Sequence, residues 1–182
     1  MDDFAHQYLT NAAVEFRKLR SLADRALAQV GDDDLFATLD AESNSLAVLM
    51  QHVGGNLRSR FRDFLTSDGE KPDRDRDAEF VVAPGTTRAD VLAVWESGWT
   101  TLLDSVEALV PADVGRTITI RGEPHSLVQA LERALSHLAY HVGQIVLLAK
   151  HARSRDWQTL SVPRGGSVDF NRKLAERKEG SQ

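Results

Sequence analysis

Two histidines stand four residues apart in Ser136-His137-Leu138-Ala139-Tyr140-His141. On a helix this spacing puts both imidazoles on one side, with Cβ atoms about 5–6 Å apart. Rings so placed can converge on one ion, since metal–nitrogen bonds to histidine are about 2.0–2.1 Å long. On a helical wheel His141 lies within the apolar arc of Leu127, Leu131, Ala134, Leu138 and Ile145, and His137 lies at its edge. The pair therefore faces inward, where an imidazole without a partner is costly to bury. Elsewhere His52, Asn56 and Arg60 follow one another at steps of four beside the arc of Leu46, Val53, Leu57 and Phe64. Arg60 lies inside that arc, while Arg58 and Arg62 point to the opposite side. If the two polar stripes face each other, His52, His137 and His141 form a ligand set. Three neutral histidines with positions left for water or substrate would make a catalytic site and not a closed structural one. Taken by itself, His52 reads as a core-edge histidine. Arg60 either anchors an anionic ligand or pairs internally with Asp63 or an acid on another helix. Asn56 and Gln144, each one turn from a proposed ligand, are the candidate hydrogen-bonding side chains of the site. His6, His125 and His151 have no matching partners and read as surface or capping residues.

Other chemistries find less support. The chain has no cysteine, so it has no disulfide, zinc ribbon or thiol nucleophile of its own. The His-Glu-x-x-His arrangement of zinc proteases is absent, as is the Glu-x-x-His that di-iron bundles need on two helices. Pro163-Arg164-Gly165-Gly166-Ser167 lacks the Gly-Lys-Ser/Thr ending of a phosphate-cradling loop and reads as a turn. A formal charge of −5 gives no support to a nucleic-acid partner. Met1-Asp2-Asp3-Phe4 does not begin a signal peptide, and no stretch has the apolar length of a membrane span. The expectation is a cytoplasmic protein with no membrane partner.

The elements that must position these residues follow from periodicity. A chain of 182 residues fits one domain, 1–182, and buries roughly 70% of its unfolded surface. Four segments carry helical patterns. The first runs from about Phe4 to Val30 and ends at Gly31-Asp32-Asp33-Asp34. The second begins near Ser43 or Ser45 and continues to Phe64, with His52 in its middle. Its Gly54-Gly55 pair costs about 1 kcal/mol per glycine relative to alanine, so something approaches the backbone there, a neighbouring helix or a ligand. The third opens at Thr87 with Asp90 in capping-box spacing and stops at Pro111. The fourth opens at Ser126 with Gln129 in the same spacing and continues to Ala149. Between them, Thr66 to Thr86 is a charge-dense connection that reads as ordered, with Phe80, Val81 and Val82 available for docking. Thr117 to Gly122 alternates like a short strand or extended arm. The tail after Arg153 reads as irregular, with Trp157 packed on the helices and 171–182 partly disordered. The fold expected is all-α, an antiparallel four-helix bundle.

Several local patterns together carry a family likeness. They are Ser43-Asn44-Ser45 leading to His52-x-x-x-Asn56, Ser59-Arg60-Phe61-x-Asp63-Phe64-Leu65, and Asp68-Gly69-Glu70-Lys71. Further ones are Arg76-Asp77-x-Glu79-Phe80, Ile120-Arg121-Gly122-Glu123, His137-x-x-Tyr140-His141-x-Gly143-Gln144, and Leu160-Ser161-Val162-Pro163-Arg164-Gly165. On these the chain, from its second helix onward, resembles the DinB-like superfamily of bacterial four-helix bundles, which includes the YfiT-like metal-dependent hydrolases. The resemblance implies a metal site of one histidine from the second helix and two from the fourth, here His52, His137 and His141. It also implies a homodimer. Relatives of that superfamily include transferases and isomerases that use low-molecular-weight thiols such as bacillithiol or mycothiol. The expected function is thus a divalent-metal-dependent thiol S-transferase or small-molecule hydrolase in detoxification. The alternative is a non-catalytic metal- or ligand-binding stress protein. The expected cofactor is one divalent ion, zinc, nickel or iron, since imidazole suits each of them; the resemblance further implies a low-molecular-weight thiol.

Overall fold

The computed structural model describes residues 2–179. In chain order the elements are α1 (Asp2–Leu27), α2 (Asp32–Phe36), α3 (Leu46–Phe61), α4 (Arg88–Glu107), β1 (Thr117–Ile120), β2 (Glu123–Ser126), α5 (Leu127–Arg153) and α6 (Ser167–Glu179). Short 3-10 turns lie at Ala78–Phe80, Pro111–Gly115 and Ser154–Asp156. The chain is mostly helical, as its periodicity requires.

Helix starts sit where the capping chemistry places them. Ser45, not Ser43, caps α3, its hydroxyl accepting the Val48 N–H at 3.2 Å. Thr87 and Asp90 exchange bonds at the start of α4: the Thr87 hydroxyl accepts the Asp90 N–H at 3.3 Å, and the Asp90 carboxylate accepts the Thr87 N–H at 2.8 Å. An aspartate thus closes the box usually closed by glutamate. Ser126 and Gln129 do the same for α5, at 3.1 and 2.8 Å.

The helix carrying His52 is fixed chiefly by α4. A Cβ on Gly54 would lie 2.5 Å from the Val94 carbonyl oxygen, and one on Gly98 would fall onto the Gly54 backbone. The two glycines therefore let the backbones of α3 and α4 touch. This decides the neighbouring-helix reading for Gly54. On the other faces α1 packs against α5 and α4, and α5 against α3. Phe16, Trp95, Trp99 and Phe61 are fully buried among these helices, and the Trp95 indole donates to Asp24 at 2.9 Å.

The connection after α3 is folded onto the helices. Arg62 turns extended and Asp63 follows at φ +51°, so α3 ends at Phe61, short of the expected Phe64, which stays buried. The Gly69 N–H donates to the Thr119 carbonyl at 2.8 Å and ties the connection to β1. The expected extended arm is one half of an antiparallel hairpin, with Thr117 opposite Ser126 and Ile120 opposite Glu123. Arg121 and Gly122 turn the hairpin at φ +56° and +75°, the left-handed region that two-residue hairpin loops use. The Asp68 carboxylate accepts both of their N–H groups, at 2.8 and 2.7 Å. Of the residues expected to dock, Val82 packs on the core, Phe80 stacks on His52, and Val81 is exposed.

Two expectations need correction. The tail is not irregular over 171–179: α6 occupies Ser167–Glu179 and carries local pairs from Arg172 to Glu176 and Asp169. Its Val168, Phe170 and Leu174 are exposed, and none of residues 167–177 is buried, so no apolar pattern marks the helix. Residues 180–182 of that expectation lie outside the described residues. The second correction is α2, where a short helix follows the Gly31 stop and begins with three aspartates in its first turn. Trp157 packs on the core as expected. Among the described residues no helix is long and apolar enough to cross a membrane.

Candidate metal centre

The histidine of α3 meets the two of α5 at the core edge. His52 Nε2 lies 3.2 Å from His137 Nε2, which lies 3.2 Å from His141 Nε2. The three offered ligand atoms all fall within 4.8 Å of one another, with His52 and His141 buried and His137 half-buried. A tetrahedral ion with bonds of about 2.0–2.1 Å would hold its nitrogens about 3.3 Å apart, so the spacing suits one ion.

The outward ring nitrogens show which way the lone pairs point. His52 Nδ1 lies 2.9 Å from the Glu79 carboxylate, and His141 Nδ1 lies 2.9 Å from Gln144 Oε1. Both partners are acceptors, so each Nδ1 carries the proton and donates it. Each Nε2 then turns a bare lone pair toward the other rings. His137 Nε2 can donate to only one of the two in the absence of a cation. A cation between the three rings satisfies them all, and the donor set fits one.

Electrostatics keep the two α5 rings neutral. Burial, then the neighbouring His141 and His52 and the Arg74 and Arg60 charges, pull the His137 pKa down to about 3. Burial also lowers that of His141, against the opposing hydrogen bond that its Nδ1 donates to Gln144. Glu79 stays a carboxylate. Burial alone would raise its pKa, but the hydrogen bonds from His52 and Arg74 outweigh it. Arg74 grips Glu79 with a fork, Nε to Oε1 at 2.8 Å and Nη2 to Oε2 at 2.9 Å. The result is a guanidinium–carboxylate–imidazole chain that orients His52 from behind.

A cavity of about 180 Å³ opens beside the cluster, bordered by His52, His137 and Asn56. Phe61, Phe64, Ile120, Ala130 and Ala134 give it apolar walls, and Arg60, Arg74, Arg76, Arg121 and Arg133 reach it from several elements.

The structure thus brings His52, His137 and His141 together and puts Gln144 on His141. Asn56 borders the cavity, and its side chain hydrogen-bonds to no described residue. Arg60 pairs with neither Asp63 nor an acid on another helix; its partner is Glu70 of the connection, at 2.9 Å. His6 and His151 are exposed, and His125 bonds to the Glu123 carbonyl. Glu79 and Arg74 were not singled out for the site from sequence. One signal marked the place without naming them: the second glycine of Gly54-Gly55. A Cβ on Gly55 would collide with the Glu79 carboxylate, so Gly55 is bare to admit the side chain that holds His52.

The fold and site define a helical protein with a cluster of three histidines, two buried and one half-buried, beside an arginine-rich cavity. The chain belongs to the family described as proteins of unknown function (DUF1572), whose profile matches residues 3–166. No curated protein matches the chain.

Proposed function

We propose that this chain is a metal-dependent enzyme of the DinB-like four-helix-bundle type, with His52, His137 and His141 holding one divalent ion. The observation that carries the proposal is the pair of outward acceptors, Glu79 and Gln144, which aim two bare Nε2 lone pairs at a third imidazole. An ion held there, zinc, nickel or iron, would lower the pKa of a thiol or a water molecule and so supply a nucleophile at neutral pH. The chain's own residues do the rest. Arg74 and Glu79 fix the His52 ring, Gln144 fixes the His141 ring, and the half-buried His137 borders the cavity where a substrate would meet the site. With no cysteine in the chain, an attacking thiol would come from a low-molecular-weight cofactor. The reaction proposed is therefore S-transfer to, or hydrolysis of, a small electrophile. The cavity favours this over a non-catalytic metal-binding protein, because a closed structural site needs no adjoining space.

The test is turnover of model electrophiles by metal-loaded protein, with and without bacillithiol, mycothiol or glutathione. Thiol-dependent turnover that His52→Ala abolishes is the expected result. Thiol-independent turnover with the same His52 dependence would identify the hydrolase. No turnover across the panel would leave the binding protein. A homodimer belongs to the same proposal, and a single-chain mass in solution would remove it.

A further inference from the structure

The five arginines around the cavity are joined there by no aspartate or glutamate. The larger groove nearby, about 320 Å³, is different: Arg58, Arg62 and Lys71 stand there with Asp73, Asp75 and Glu79. The acids within reach of the cavity's guanidiniums are already shared. Glu70 alone serves Arg60 and Arg121, each at 2.9 Å, and Arg74 at 3.4 Å. Glu79 is taken by Arg74 and His52. Arg76 has a 3.7 Å contact to the exposed Asp77, and Arg133 has no hydrogen bond or ion pair among the described residues. Arg60 Nη1 is buried without any hydrogen-bond partner. Leaving such a donor unmade costs the desolvation of a charged group, a cost that an oxyanion would offset once the guanidinium turned this closed-off nitrogen toward the cavity. Burial, with Arg74 and Arg121 nearby, lowers the Arg60 pKa although Glu70 opposes it, which is the mark of a guanidinium short of negative charge.

We propose that this cavity is the subsite for a carboxylate or phosphate group on a small apolar body. Arg60 and Arg133 supply the donors that have no other use, and the body lies against Phe64 and Ile120. Guanidiniums suit this role because their planar fork matches both oxyanions. The inference deepens the enzyme reading, on which it rests for the substrate's reacting end lying at His52 and His137, but binding of the anionic end needs no ion.

The experiment is calorimetric titration of the full chain with benzoate, phenyl phosphate and neutral benzamide, after chelation and again after zinc loading. The chelated protein should bind one of the two anions about tenfold or more tightly than benzamide, as expected for hydrogen bonds to a charged group. The tighter of the two identifies the oxyanion. Arg133→Gln, at an exposed and unpaired position, should weaken that binding severalfold with an unchanged urea midpoint. Arg60→Lys, which keeps the charge toward Glu70 but loses the fork, should weaken it too. Benzamide binding as well as both anions would overturn the proposal. So would anion binding seen only in the zinc-loaded protein, or wild-type binding by both variants. The two readings fail separately: zinc uptake that ignores His137→Ala counts against the metal centre alone, and anions that ignore the arginines count against this subsite alone.

Discussion

Glu79 shows how much of a site can rest on one residue that ligates nothing. Its carboxylate sets the tautomer of His52, and Arg74 keeps it ionised and in place. Glu79→Gln should lower metal affinity by about 10–100-fold, the usual effect of losing such a partner, while the protein stays folded. Competition with a chromogenic chelator reads this directly, and unchanged affinity would show that Glu79 is only an ion-pair partner of Arg74. The depressed pKa of His137 has its own consequence for the metal-free protein. Between about pH 6.5 and pH 3 the unfolded chain takes up a proton that the folded His137 refuses. Unfolding is then favoured by acid, so stability is full above the unfolded pKa and falls as pH drops toward 3. His141 acts in the same direction. The urea midpoint of chelated protein should be lower at about pH 5 than at about pH 7, and His137→Ala should reduce that difference. A midpoint equal at both pH values would contradict the buried, neutral ring.

At the scale of elements, the three clustered histidines were legible in sequence and their support was not. His137 and His141 share a helix, so their facing follows from spacing alone, and the apolar arc of α3 showed which way His52 turns. The caps at Ser45, Thr87 and Ser126 are local, and each sits at a position the sequence marks. Glu79 is 27 residues from His52 on a connection whose path depends on the tie from Gly69 to β1, which no periodicity encodes. The same limit hid α6, a helix with none of residues 167–177 buried. Gly54-Gly55 is the intermediate case, since sequence announced a close approach without naming what approaches. The structure assigns one glycine to α4 and the other to Glu79, so substitutions there should separate. Gly98→Ala, which forces α4 off the Gly54 backbone, should destabilise the fold by about 1–3 kcal/mol in urea unfolding. Gly55→Ala should instead act mainly on metal affinity, by displacing the Glu79 carboxylate. Equal effects of both changes on stability alone would show that Gly55 serves only packing.

Across the whole molecule, the histidine cluster and the arginine-rich cavity adjoin each other. The net charge of −5 conceals a cavity that gathers five guanidiniums, and it is this local excess, not the overall balance, that bears on the ligand. The site is assembled from α3, α5, the hairpin and the connection after α3, all within the residues 3–166 that the family profile covers. The central claim is that these elements converge to hold an ion, and metal content after loading and gel filtration tests it most directly. Wild-type protein should carry close to one divalent ion per chain, and the His137→Ala/His141→Ala variant should carry almost none, since the chain has no cysteine and the neighbouring carboxylate, Glu79, sits behind His52 on its Nδ1 side. Full metal content in the double variant, or none in the wild type, would contradict the account.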